Sequence, residues 1–128
     1  MLDDMGIFRT TIEVALHGAA DRRIALQSVM VDTGSEYTWI PTEVLDSLGI
    51  APERIDRFET ADGRILERPV GSARVFAGGQ SGVTMVVFAG AGDSVLFGAH
   101  GLEALNLRVD LGRRELMPAG PLPAAMAA

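Results

Sequence analysis

The sequence predicts an all-β domain with short helices, and three observations favour this class. Apolar segments rich in β-branched residues recur along the chain, separated by turns of Gly, Asp and Ser. Only two short segments, residues 40–49 and 99–106, carry the apolar stripe of a helix. The 128 residues, 48% of them apolar, suffice for one domain with a core. We expect this domain to span residues 1–118 and the tail at 119–128, rich in Pro, Gly and small residues, to be poorly ordered.

Composition argues against several functions. The net charge is −6, so the chain lacks the basic face that nucleic-acid binding requires. Cys is absent, which excludes disulfides and thiolate chemistry. His17 and His100 with nearby carboxylates make a poor metal site, so we expect no metal and no cofactor. Neither a signal-peptide core nor a run of ~20 apolar residues is present, which predicts a cytoplasmic protein without a membrane segment.

The first half of the chain predicts a hairpin followed by a short helix. Residues 8–16 and 23–31 are the two strands, joined by a loop around Gly18. Residues 40–49 predict the helix, with Pro41 in its first turn and Gly49 just past its end.

The second half predicts two more hairpins, a helix and a closing pair of strands. Residues 54–60 and 64–70 flank Ala61-Asp62-Gly63, where a tight turn needs positive φ at both central residues. Residues 71–76 and 83–89 flank a Gly-rich loop, and the apolar run at 83–88 predicts a central strand buried on both faces. Residues 94–98, a helix at 99–106 and strands at 107–111 and 115–118 complete the chain.

A carboxylate stands where an apolar strand becomes a turn, in the segment Val31-Asp32-Thr33-Gly34-Ser35. A charge in such surroundings is costly unless it is hydrogen-bonded, and carboxylates held in this way are candidates for function. Gly34 allows its N–H to approach the carboxylate, and the hydroxyls of Thr33 and Ser35 can donate hydrogen bonds. An ordinary turn after a strand is the alternative, because Asp, Gly and Ser all favour turns.

This segment resembles the catalytic loop of the aspartic peptidases, which has Asp-Thr-Gly or Asp-Thr-Gly-Ser after an apolar strand. The apolar-apolar-Gly segment Leu96-Phe97-Gly98 and the helix after it resemble a second motif of the retropepsin-like members. The predicted hairpin around Ala61, Asp62 and Gly63 resembles their flap, which closes over bound peptide. The short helix at 40–49 is similar to bacterial rather than retroviral members. The resemblance implies a closed acid-protease β-barrel with one lobe per chain.

The resemblance also implies a mechanism and a partner. Asp93-Ser94-Val95 lacks the glycine of a second catalytic loop, and Ala61-Asp62-Gly63 lacks the apolar lead-in. The second aspartate would therefore come from another copy of the chain in a homodimer. Asp32 would be the catalytic acid and base, hydrolysing a peptide or protein substrate. Thr33 would reach the partner's loop, the Gly34 N–H would bind the carboxylate, and Ser35 would hydrogen-bond its outer oxygen.

Two features depart from the family pattern. His100 stands where members commonly have Asp or Asn, and the tail at 119–128 is unsuited to the dimer sheet that retroviral members build from their chain ends. Two other functions stay open. One is a catalytically idle member of the same fold that serves in dimerisation or peptide binding; the other is a domain cut from a longer, membrane-anchored protease.

Overall fold

The computed structural model describes residues 8–125, which form nine strands and two short helices. The strands are β1 (Phe8–Ala15), β2 (Arg23–Val31), β3 (Thr38–Pro41), β4 (Arg54–Glu59), β5 (Ile65–Ala77), β6 (Gln80–Ala89), β7 (Leu96–Phe97), β8 (Leu107–Asp110) and β9 (Glu115–Pro118); the helices are α1 (Thr42–Ser47) and α2 (Ala99–Ala104). Residues 1–7 of the expected domain and 126–128 of the expected tail lie outside the described residues.

Six of the strands close into a ring. The seven-stranded sheet has the order β1-β2-β7-β3-β6-β5-β4, and β1 also pairs with β5 through residues 13–15 and 74–76. The fourth strand pairs only with β5, so the hairpin β4–β5 projects from the ring. The prediction of an all-β barrel with short helices is confirmed.

Alternation along the first two strands explains how the ring fills its core. Ile12 and Val14 of β1 and Val29 and Val31 of β2 are fully or almost fully buried. Period-2 spacing turns these side chains to one face, where they pack against Phe97 from β7. The end of β2 is therefore held firmly, and Asp32 follows it directly.

Two of the predicted hairpins share one long strand. The expected strands at 64–70 and 71–76 are continuous as β5, because Gly71 lies against the Ala51 carbonyl without interrupting the ladder. Predicting a turn with positive φ at both central residues was wrong at Asp62-Gly63, where only Gly63 has φ of 85°. The Gly63 N–H donates to the Thr60 carbonyl at 2.9 Å, which makes a three-residue loop that ends in a left-handed glycine.

The turn with two left-handed residues occurs instead between β5 and β6. Gly78 and Gly79 have φ of 56° and 78° and join the strands as a two-residue loop. The predicted burial of both faces of β6 holds from Val86 onwards, whereas Val83 is 39% exposed.

The helices are shorter than predicted. Pro41 ends β3 and precedes α1 instead of lying in its first turn, and α2 ends at Ala104. The strands β8 and β9 form a separate two-stranded sheet that packs on Gly78 through Leu107 and Leu116. Within residues 8–125, no helix is long and apolar enough to cross a bilayer.

Candidate active site

The short strand β7 fixes the position of Asp32. It lies between β2, with which it is parallel, and β3, with which it makes one antiparallel pair at Trp39 and Leu96. The Asp32 N–H donates to the Phe97 carbonyl at 3.0 Å, so the last residue of β7 holds the backbone of the acid. The sequence motif Leu96-Phe97-Gly98 is thus brought directly beside the Asp32 loop.

The loop hydrogen bonds agree with the sequence expectation for Gly34 and differ for Ser35. The Gly34 N–H donates to Asp32 Oδ1 at 2.9 Å, and within residues 8–125 this is the sole hydrogen bond to that carboxylate. The Ser35 hydroxyl donates to the Tyr37 carbonyl at 3.0 Å, not to the outer carboxylate oxygen, and a hydroxyl has only one proton to give. Thr33 is exposed, and its hydroxyl makes no hydrogen bond to the described part of the chain.

The start of α2 binds the far side of the same loop. The N–H groups of Ala99 and His100 donate to the carbonyls of Ser35 and Glu36 at 2.8 and 2.9 Å. The Gly98 N–H donates to the fully buried Thr38 hydroxyl oxygen at 3.1 Å. These backbone bonds satisfy the free N–H groups of the helix start, and they make the Asp32 loop and residues 97–100 one unit.

His100 does not cap α2 through its side chain. No side chain caps this helix, and the imidazole packs on the Tyr37 ring with centroids 5.4 Å apart. An Asp or Asn at this position would lack that ring contact, so the departure from the family pattern coincides with an added contact to the Asp32 loop.

A cleft of about 920 Å³ opens above Asp32. One side is lined by the Asp32 loop and the opposite side by the hairpin β4–β5, including Thr60, Ala61 and Arg64. Of the three hairpin residues predicted to contact substrate, Ala61 lines this cleft, whereas Asp62 and Gly63 do not. The hairpin predicted from sequence therefore lies across the cleft from Asp32. Which residue of its tip faces the cleft was not predicted.

Asp62 is occupied within the turn itself. Its carboxylate accepts hydrogen bonds from the Thr60 hydroxyl and from Arg64 Nε, the latter at 3.1 Å. The Thr60 hydroxyl, and then Arg64, lower the pKa of Asp62 below its usual range. The side chain therefore organises the tip of the hairpin instead of facing the cleft.

Aromatic contacts connect the hairpin to the wall beneath it. The Phe58 ring of β4 lies edge-on to Trp39 and Tyr37, with centroids 5.1 and 5.9 Å apart. None of these three residues was predicted from sequence to belong to the site. The signal was available, because alternation along β4 puts Asp56 and Phe58 on its half-buried face and Ile55 and Arg57 on the exposed one.

An ion pair joins the hairpin to another wall of the cleft. Arg68 Nε and Nη2 donate to Asp93 Oδ2 and Oδ1 at 2.7 and 3.0 Å, and the Gly90 N–H donates to Oδ2 at 2.7 Å. The Arg68 hydrogen bonds hold the pKa of Asp93 below its usual range, against the opposing effect of burial. The pair was not anticipated from sequence, where Asp93 was considered only as a possible second catalytic loop.

The ring of strands, with Asp32 directly after β2, is the fold expected for a retropepsin-like acid protease domain. A family profile described as aspartyl protease matches residues 13–100, which include the Asp32 loop, the hairpin β4–β5 and Leu96-Phe97-Gly98. The match covers well over half of the chain, and the chain belongs to the retropepsin-like aspartyl protease family. A comparison with curated proteins found no match. Among the described residues, no three His, Asp or Glu side chains cluster as a metal site.

Proposed function

We propose that this protein is an aspartic endopeptidase in which two copies of Asp32, one from each chain of a homodimer, activate the attacking water. The observation that carries the proposal is the state of the Asp32 carboxylate. It lies half-buried at the floor of the cleft, and one oxygen is held by the Gly34 N–H. The other oxygen has no hydrogen-bond partner among the described residues, so it is available to water and to a second carboxylate.

The chemistry follows from placing two such carboxylates together. Two adjacent carboxylates cannot both ionise easily, so, as in aspartic proteases generally, the pair holds one proton. The ionised member acts as general base on the water, and the protonated member polarises the scissile carbonyl and then helps to protonate the departing amine. We therefore expect peptide cleavage to be fastest at acidic to mildly acidic pH, where one proton remains on the pair.

The loop residues take supporting roles. The exposed Thr33 hydroxyl, which has no hydrogen bond to the described chain, is free to bind the partner's loop. Ser35 steadies the loop through the Tyr37 carbonyl. Leu96, Phe97 and Gly98 support the acid from beneath through the Phe97 carbonyl.

The substrate we propose is an extended peptide. The cleft between Asp32 and the hairpin β4–β5 is open and lined by backbone as well as side chains, which suits strand-like main-chain hydrogen bonding. The hairpin would act as the flap, with Ala61 at its inner tip and Gly63 supplying the left-handed turn.

The experiment is a peptide-library digest that compares wild type with Asp32→Asn. Asn keeps the shape of the side chain and removes the charge, so turnover should fall by at least about 10³-fold. Asp46→Asn is the matched control, because Asp46 is exposed on α1 and its side chain has no hydrogen bond to the described residues. Equal turnover in wild type and Asp32→Asn would overturn the assignment. Peptide binding without cleavage in wild type would indicate the idle, peptide-binding alternative.

A further inference from the structure

The ion pair between Arg68 and Asp93 has a second role, which rests on the proposed function. We infer that Arg68 and Asp93 are positioning residues that set the separation between the hairpin β4–β5 and the cleft wall at residues 90–94, and through it the affinity for peptide substrate. Neither residue acts on the scissile bond. Both act through the segments that they join.

Burial and geometry distinguish this pair from the surface ion pairs. Both guanidinium contacts fall on one carboxylate, and the side chains are only 25% and 10% exposed. The third guanidinium nitrogen donates to the Glu67 carbonyl at 2.9 Å, so the Arg68 side chain is fixed from both ends. Bidentate charge-assisted bonds of this kind define orientation as well as distance.

On one side, the pair is anchored to a turn that leads into β7, beside the Asp32 loop. The Asp93 N–H donates to the Gly90 carbonyl at 3.1 Å, while its carboxylate accepts the Gly90 N–H, so this side chain closes its own turn. Residues 92–94 line the cleft, and the chain continues into β7, whose Phe97 carbonyl binds the Asp32 N–H. A displacement of Asp93 should therefore move β7 and, with it, the backbone of Asp32 at the floor of the cleft.

On the other side, the pair is anchored to the hairpin β4–β5, which projects from the ring. Strand β4 is an edge strand, so the hairpin joins the ring only through the continuation of β5, and its outer part depends on side-chain contacts to the rest of the described chain. Arg68 lies directly opposite Asp56 in the hairpin register, on the face that looks into the cleft. A separate side-chain hydrogen bond from this hairpin, from Arg54 to the Tyr37 hydroxyl beside the Asp32 loop, is longer, at 3.3 Å, and the Arg54 side chain is more exposed.

The hairpin also offers a matched control. Arg57 and Glu67 form an ion pair at 3.9 Å, with side chains 71% and 68% exposed; Arg57 lies at the rim of the cleft, whereas Glu67 does not line it. Glu67→Gln removes a charge from the same hairpin without touching the inner link. An exposed pair of this kind contributes little.

The test measures steady-state peptide hydrolysis and amide hydrogen exchange on the full-length protein. Asp93→Asn should raise KM by about tenfold and change kcat by less than about threefold, because the hairpin is displaced while the acid pair is intact. Amide exchange in residues 54–66 should accelerate by about tenfold, with β1 unaffected. Arg68→Lys keeps the charge but loses the bidentate guanidinium contact. Its KM and its hairpin exchange rate should lie between those of wild type and Arg68→Met. Glu67→Gln should match wild type in every measurement.

The outcomes separate this inference from the proposed function. Lower thermal stability of Asp93→Asn with unchanged KM and unchanged exchange in residues 54–66 would make the pair merely structural and overturn the inference. Loss of kcat equal to the change in kcat/KM would also overturn it. If wild type cleaves no peptide, the proposed function fails, and unaltered hairpin exchange in Asp93→Asn would then refute the positioning on its own.

Discussion

Replacing Gly98 by Ala tests how closely the Asp32 loop must approach the start of α2. The backbone at Gly98, with φ of −99° and ψ of −178°, suits any residue, so the cost is purely steric. A methyl group there would clash most closely with the Tyr37 carbonyl oxygen, and it would lie 2.7 Å from the Tyr37 carbonyl carbon and 2.8 Å from the Ser35 carbonyl oxygen. All three are backbone atoms of the Asp32 loop, which would have to move by roughly 1 Å to reach ordinary contact.

The magnitude follows from that displacement. Overpacking of this size should lower the free energy of unfolding by about 1–3 kcal/mol, measured by urea denaturation. Because the displaced atoms belong to the loop that holds Asp32, kcat/KM should fall by about tenfold to a hundredfold. Gly112→Ala is the control: its methyl would meet only the Asp110 carboxylate, at 3.5 Å, and it should stay within about 0.5 kcal/mol of wild type. A Gly98→Ala variant as stable and active as wild type would refute the close approach.

Three further predictions concern contacts around the site. Asp93→Asn should cost about 2 kcal/mol of stability at pH 7. Because the native pKa of Asp93 is lowered, the stability that the pair adds is present above the unfolded pKa and is lost as pH falls through the native one. Denaturation across pH should therefore show the deficit shrinking in acid, and a constant deficit would contradict this. Thr38→Val should cost about 1–3 kcal/mol in urea denaturation, because it leaves the buried Gly98 N–H without its acceptor; no loss would mean that this N–H finds another partner. Phe58→Ala should shift the emission of Trp39, the sole tryptophan, to longer wavelength by admitting water, and unchanged emission would show that the ring does not shield it.

Local signals predicted most of the strands. The bounds of β2 at Arg23 and Val31 were anticipated, because a turn precedes the strand and Asp32 follows it. The Asp32 loop was recognised for the same reason, since an acid at the end of an apolar run is unusual in itself. The Gly34 hydrogen bond needs only two neighbouring residues, so spacing alone was enough to anticipate it.

Features that depend on distant parts of the chain were harder to predict. Strand β3 has only four residues and pairs in parallel with β6, more than forty residues away, so nothing local marks its ends. The turn at Asp62-Gly63 was assigned the wrong geometry, because a left-handed pair is favoured by Asp-Gly and Gly-Gly alike and the partner strands decide between them.

The Arg68–Asp93 ion pair could not be predicted from the sequence. Its members are separated by 25 residues, and each is one of several charged residues in its own segment. Only the folded ring brings them together, by placing the hairpin β4–β5 over the turn at residues 90–93. The contacts of Phe58 could be predicted only in part, because alternation along β4 predicts which face carries the ring but not which rings it meets.

The most direct test of the central claim is a mixing titration of wild type with Asp32→Asn under conditions that exchange subunits. If each active site needs Asp32 from two chains, only dimers of two wild-type chains are active, and an equal mixture at constant total protein should retain about a quarter of the activity. Activity should then follow the square of the wild-type fraction. A linear fall to about half, with Asp32→Asn shown to exchange into mixed dimers, would contradict a shared pair of aspartates.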